Sequence, residues 1–265
     1  MNISNRPIGV FDSGLGGLTV LKELKKILPN ENYIYLGDLK NSPYGDKSGD
    51  EITSFTKKNI EFFLKNGVKL VVVACNTASS YNIEKIREIY NVPIITVLES
   101  AISGINKEDK NILLVATKAT CNSGYFDKLL KMNFEIVNLY KEACIDIVPS
   151  IENKNLVDDE IQVIVDKYIK KYSKEKIDKL ILGCTHYPIW KKYFENSVNK
   201  DVEIFDPAHK LALDVYNYLN INRMLNNDEN SKIKFCVTKN KDIFFEKSKK
   251  FIGEKFIEKV EKIEL

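Results

Sequence analysis

Nothing in the 265-residue chain approaches the roughly 20 consecutive apolar residues that a bilayer span requires, and Met1-Asn2-Ile3-Ser4-Asn5-Arg6 carries no apolar leader. There is no Cys-x-x-Cys. The five cysteines, Cys75, Cys121, Cys144, Cys184 and Cys236, are odd in number in a chain that is not small, so a disulfide framework is not expected. Charge of one sign is also lacking. The 40 Lys and Arg against 37 Asp and Glu leave +3, spread as in Lys107-Glu108-Asp109-Lys110 at the spacing of solvated helix faces. No basic cluster with interleaved aromatics marks a nucleic-acid surface. These absences point to a cytoplasmic protein in a reducing compartment, with neither membrane nor nucleic-acid partners, whose thiols are available for chemistry. What is present is apolar content, 44%, enough for a sizeable core and against disorder of the chain as a whole.

Short apolar runs alternate with amphipathic stretches. Strands are expected at Ile8–Phe11, Tyr33–Leu36, Leu70–Ala74 and Pro93–Val97. Helices are expected at Leu18–Leu28, at Ile52–Leu64 before the Asn66-Gly67 cap, and from about Ala78 to Ile89. The alternation restarts with strands at Asn111–Ala116, Phe134–Leu139, Lys179–Leu182 and Val202–Phe205. The matching helices are Ser123–Lys131, Val157–Tyr172 and Pro207–Leu219, a polar loop is expected at Asn226–Ser231, and an amphipathic stretch runs from Ile243 to Ile252. Strand–helix alternation with apolar strands predicts α/β architecture with parallel sheets covered on both faces, and two rounds of it predict two lobes. There is no short-period repeat, but Val71-Val72-Val73-Ala74-Cys75-Asn76-Thr77 is echoed by Leu180-Ile181-Leu182-Gly183-Cys184-Thr185-His186.

Ligands of open α/β sheets bind beyond the carboxyl ends of the strands, where both echoing cysteines fall. A structural cysteine ordinarily sits inside a strand or on an apolar helix face. Cys236 fits that plain reading, and Cys121 and Cys144 fit it less clearly. For one isolated strand-end thiol, structure would still outrank function. Two in matching contexts, each followed by a helix start that favours thiolate, reverse the order. Strand one ends in Asp12-Ser13-Gly14-Leu15-Gly16-Gly17, which is neither a dinucleotide fingerprint, because position 19 is Thr19, nor a P-loop. Such a turn is often structural, and Asp12 could simply cap the helix. Gly37-Asp38 and Pro43-Tyr44-Gly45 belong to the same sheet edge. His186 lies two residues after Cys184, as a charge partner or proton relay would. His209 has a weaker case, and zinc is disfavoured because only Cys184 and His186 are closely spaced. An arginine-assisted phosphatase loop fails on Tyr81 and Trp190. A Cys–His hydrolase leaves Cys75 unexplained. Inversion at carbon by proton transfer accounts for both thiols, one as base and one as acid, in a site that holds a carboxylate and excludes water. No lysine stands in an obvious Schiff-base context.

At these residues the chain resembles the glutamate racemase family, within the aspartate/glutamate racemase superfamily. The matching segments are Pro7–Val20, Gly37-Asp38 with Pro43-Tyr44-Gly45, Ala74–Ser79 and Gly183–Pro188. The resemblance implies a cofactor-free and metal-free enzyme that interconverts L- and D-glutamate, supplying D-glutamate for peptidoglycan and so serving the cell wall and cell shape. It implies Cys75 and Cys184 as proton donor and acceptor, Cys75 serving D-glutamate and Cys184 L-glutamate. It implies a glutamate site lined by Asp12, Ser13, Tyr44, Gly45, Asn76, Thr77, Thr185 and His186, with Asp12 assisting Cys75, and His186 and Glu152 assisting Cys184. It also implies a homodimer of subunits with two pseudosymmetric lobes, residues 1–97 with 210–265 and residues 98–209, and the active site between them. The chain departs from the family pattern at Ala116-Thr117, where Gly-Thr is common, and at Ile145-Asp146-Ile147 near Cys144, where an apolar Pro-Leu-Phe is usual. An aspartate racemase fits the two cysteines equally, but the segments at 12–17 and 43–45 favour glutamate. A non-catalytic amino-acid-binding or metal-binding protein is the reading from a different class.

Overall fold

The computed structural model describes residues 3–153, 155–253, 256–257 and 259–265. The start of the chain at residues 1 and 2, and residues 254, 255 and 258 of the expected first lobe, lie outside the described residues. So does residue 154 of the expected second lobe.

The chain runs β1 (Ile8–Asp12), α1 (Gly17–Ile27), β2 (Tyr33–Gly37), α2 (Gly49–Lys65), β3 (Leu70–Val73), α3 (Asn76–Ser79), α4 (Ile83–Ile89), β4 (Ile94–Thr96) and α5 (Val97–Ser103). It continues with β5 (Asn111–Ala116), α6 (Lys118–Asn122), α7 (Tyr125–Asn133), β6 (Asn138–Ala143), α8 (Ile147–Asn153), α9 (Asp158–Ile169), β7 (Lys179–Gly183), α10 (Lys191–Ser197) and β8 (Glu203–Phe205). Last come α11 (Pro207–Ile221), β9 (Ile233–Val237), α12 (Lys241–Ile252) and β10 (Val260–Lys262). No helix among the described residues is long and apolar enough to cross a membrane.

Among the described residues two sheets result, ordered β10-β9-β2-β1-β3-β4 and β6-β5-β7-β8, and every pairing is parallel. The order β2-β1-β3-β4 in the first sheet recurs as β6-β5-β7-β8 in the second, which is the pseudosymmetry expected. Alternate strand residues point to opposite faces. In the first sheet Ile8, Val10, Leu70 and Val72 pack on one side with residues of α1 and α11. Phe11, Val71 and Val73 pack on the other with residues of α2 and α4. In the second, Leu113, Val115, Leu180 and Leu182 join residues of α9 and α10, while Ile112, Leu114 and Ile181 join residues of α5 and α7. Both faces are therefore covered, as apolar parallel strands require.

Local chemistry sets the element ends. Ser48 and Glu51 form a reciprocal capping box at the start of α2, and Gly67 beyond its end takes φ +65. The single helix expected from about Ala78 to Ile89 is broken. Ser79 and Ser80 hydroxyls bond back to the carbonyls of Cys75 and Asn76, and Asn82 takes the left-handed φ 51 before α4 begins. The strand expected at Phe134–Leu139 is instead β6, at 138–143. Phe134 N–H still closes α7 on the Leu130 carbonyl, and pairing starts only with Asn138 beside Asn111. The stretch expected as a helix to Tyr172 is α9 followed by a 3₁₀ turn at Lys170–Tyr172. Helices α5, α6, α8 and α10 and strand β10 carried no expectation.

Candidate active site

Each sheet has a switch point, between β1 and β3 and between β5 and β7, where successive connections leave in opposite directions. A crevice opens there beyond the carboxyl ends. Asp12 ends β1 and Cys75 lies two residues beyond β3, while Thr117 and Cys184 directly follow β5 and β7. Both thiols line one cavity of about 340 Å³, within the roughly 300–1,000 Å³ typical of small-molecule sites. Ser13, Tyr44, Gly45, Asn76, Thr77, Glu152, Thr185 and His186 line the same cavity. Of the expected site residues only Asp12 is not in its wall. It is fully buried, its carboxylate accepting from Gly14 N–H at 2.8 Å and from Thr185 Oγ1 at 3.2 Å, so it ties the glycine-rich turn to the segment carrying Cys184. Burial raises the Asp12 pKa, although the charge of His186 and these hydrogen bonds oppose the rise.

Around Cys184 the groups form a chain. Its Sγ is 3.9 Å from His186 Nδ1, and His186 Nε2 is 2.7 Å from Glu152 Oε1. Burial disfavours the imidazolium, but hydrogen bonds and charge from Cys184 and Glu152 outweigh it and raise His186 to about 10. Burial likewise works against the Glu152 carboxylate, and His186 and the more distant Lys247 charge overcome it, leaving its pKa below the ordinary value. The His186 and Phe251 rings stand perpendicular with centroids 5.9 Å apart.

Cys75 has a different setting. Its sulfur accepts from Ala78 N–H at 3.5 Å at the start of α3, and the thiol contacts Ser13 Oγ at 3.8 Å. The helix start was expected to lower the thiol pKa. That expectation is corrected: burial, with the Asp12 charge behind it, outweighs the Ala78 and Ser13 hydrogen bonds and pushes Cys75 up to about 12. The helix α3 is four residues long, and it contributes one amide against complete burial.

Hydroxyls and an amide complete the wall. Thr77 Oγ1 meets Thr117 Oγ1 at 2.9 Å across the two sheets' loops, and Thr120 joins both. Asn76 Oδ1 is buried with no hydrogen-bond partner among the described residues, so the amide offers a free acceptor. Tyr44 is buried, its hydroxyl committed to Asp38 at 2.6 Å. Thr117, Cys144, Ser42, Asn240, Phe244 and Lys247 also line the cavity and were not foreseen. Thr117 had a readable signal, because it follows an expected strand as Cys184 does. Cys144 follows β6, and the misplaced strand end hid it. The α12 residues reach the site only through the tertiary fold, and no sequence signal marks them. His209, given the weaker case, pairs with Glu23 and is not in the cavity wall. Among the described residues no group of three His, Cys, Asp or Glu is arranged to hold a metal ion.

The model of the Asp/Glu/Hydantoin racemase family matches residues 8–213. A glutamate racemase of Thermoanaerobacter pseudethanolicus is 41% identical over 256 residues, covering 96% of this chain and 96% of that protein. The crystal structure of glutamate racemase from Francisella tularensis in complex with D-glutamate superimposes with a TM-score of 0.92 at 33% identity, covering 98% of both chains. Aspartate racemase of Picrophilus torridus is similar in fold alone, at 18% identity and a TM-score of 0.60 over 83% of this chain and 99% of that one.

Proposed function

The chain belongs to the Asp/Glu/Hydantoin racemase family, at its glutamate racemase branch, and from that premise we propose that it interconverts L- and D-glutamate by two-thiol proton transfer at Cα, without a cofactor. One observation carries the reading: two thiols at matching strand ends of two pseudosymmetric sheets line a single cavity. With L-glutamate bound, the Cys184 thiolate takes the α-proton and becomes a thiol. The Cys75 thiol delivers its own proton to the other side of the carbon and becomes a thiolate. D-glutamate leaves with that proton at Cα, and the reverse reaction exchanges the roles.

The surrounding groups serve the charges that this transfer creates. The His186 imidazolium, oriented by Glu152, is the cation beside the Cys184 sulfur. The high pKa of Cys75 keeps it protonated, as the acid in the L-to-D direction requires. Asp12 assists on the Cys75 side from beneath the wall. The free Asn76 Oδ1 is an acceptor for the substrate ammonium. Ser13, Thr77 and Thr185 hydroxyls with the Tyr44-Gly45 main chain supply polar groups for the carboxylates. Burial of the whole set strengthens these interactions where charge develops in the transition state. The active site lies between lobes of residues 1–97 with 210–265 and residues 98–209, and the protein acts as a cytoplasmic homodimer that supplies D-glutamate for peptidoglycan.

The test is incubation of the full chain with L- or D-glutamate in deuterated water, without pyridoxal phosphate or metal. Interconversion with deuterium entering at Cα is expected. No turnover of either enantiomer by folded protein overturns the reading. Cys75→Ser and Cys184→Ser should each abolish full racemisation, and normal activity in either variant overturns the two-thiol assignment.

A further inference from the structure

Asp38 follows β2 directly and is fully buried, yet it is not in the cavity wall. Three side chains converge on its carboxylate. Tyr44 OH donates to Oδ2 at 2.6 Å, Thr238 Oγ1 donates to Oδ1 at 2.9 Å, and Asn41 Nδ2 lies 2.9 and 3.1 Å from the two oxygens. Its main-chain N–H donates to the Asp12 carbonyl at 3.0 Å. One residue thus joins the end of β1, the end of β9 and the turn at Pro43-Tyr44-Gly45. Asn59 of α2 extends the network by donating to Tyr44 OH at 3.1 Å. Burial and the Asp38 charge raise the Tyr44 pKa, so the phenol stays a proton donor to Asp38.

We propose that Asp38 is a positioning residue that holds the 43–45 wall of the substrate cavity in place through Tyr44. Two further observations support it. The wall has little slack: a Cβ at Gly45 would stand 3.0 Å from Thr117 Cβ, so the turn closes directly on the other sheet's strand-end loop. The pseudosymmetric position in the second sheet, directly after β6, is Cys144, which is tied by its main chain to Ala116 and Tyr187 and whose side chain, in place of a carboxylate, makes a polar contact only with the Glu142 carbonyl at 3.7 Å among the described residues. A buried carboxylate at this strand end is therefore not a requirement of the fold pattern, and it occurs on the side where a turn must be anchored. Because charged groups form the stronger hydrogen bonds, a neutral amide at position 38 weakens the anchor while leaving its shape.

The kinetic consequence rests on the racemase reading, and the structural consequence does not. Asp38→Asn and, independently, Tyr44→Phe should raise KM for both glutamate enantiomers about tenfold while kcat changes less than about threefold. The double variant should cost little more than either single one. Amide hydrogen exchange of a peptide spanning residues 40–48 should quicken about tenfold in each variant, while exchange in α9 stays unchanged. Should Asp38→Asn fail to fold, Tyr44→Phe and Thr238→Val carry the same test. Unchanged exchange at 40–48, or a loss confined to kcat, overturns the positioning role. If the wild-type chain turns over no glutamate, the racemase reading falls, and the exchange measurement still decides the role of Asp38.

Discussion

His186 is held charged by its neighbours against its own burial, and that makes the site sensitive to pH and to Glu152. Its folded value near 10 lies above the ordinary 6.5. The stability gained from charging His186 is therefore complete below about 6.5 and is lost as pH rises through about 10. Thermal unfolding of wild type and His186→Asn from pH 6 to 10 should show wild type losing its advantage over that window. The same substitution should lower kcat for L-glutamate by about 10²-fold, because the cation beside Cys184 is gone, and should affect D-glutamate less. Glu152→Gln removes the anion 2.7 Å from Nε2, so the alkaline limb of the L-glutamate pH profile should move to lower pH. The expected rate loss is about 10–100-fold, the size typical when an orienting partner is removed. Equal kcat losses in both directions for His186→Asn would contradict its assignment to Cys184, whereas kcat/KM must fall equally because the two enantiomers are equally stable.

The strand-to-helix turn after β1 is built for contact with the other sheet's loop. A Cβ at Gly16 would lie 2.2 Å from Thr185 Oγ1 and 2.5 Å from His186 Nδ1. Thr19 in the first turn of α1 donates to the Thr185 carbonyl at 3.0 Å. Gly16→Ala must therefore push the 184–186 segment outward. A stability loss of about 1–3 kcal/mol follows from such overpacking. A kcat loss near 10²-fold is expected as well, because the displaced ring is the one 3.9 Å from the Cys184 sulfur. Denaturant melts and steady-state kinetics on the same preparation test both. Elements were unevenly legible. The central strands and α1, α2 and α11 were readable because their apolar spacing is strong. The break at Asn82 and the true start of β6 were not, because serine hydroxyls and a helix cap overrode the local pattern.

At the scale of the molecule, charge is buried away from the site as well. Lys69 and Glu31 form a 2.6 Å ion pair with both side chains almost fully enclosed, and Lys69 also donates to the Met224 carbonyl at 2.8 Å. Lys69 precedes β3, at the strand starts and so at the opposite end of the sheet from the cavity. Lys69→Met would strand the Glu31 charge in the interior, and urea unfolding should show a loss of about 3–5 kcal/mol. Activity of the folded fraction should hold, since the pair lies at the opposite end of the sheet from the cavity. Two sheets of the same strand order bring their carboxyl ends to one cavity, and hydrogen bonds between Thr77 and Thr117 and between Thr185 and Asp12 cross between them.

Periodicity and strand-end chemistry alone determined the α/β class, the two rounds of it, and the pair Cys75 and Cys184 as the thiols out of place in a core. Those features are local, written in residues adjacent along the chain. Only the tertiary structure decided that Asp12 sits beneath the wall, that Cys75 is raised rather than lowered, and that Glu152 reaches His186 from 34 residues away. It alone brought the α12 residues to the site and joined Asp38 to Tyr44. Burial and charge depend on what surrounds a group in three dimensions, and a linear pattern carries no record of distances between segments far apart in the chain.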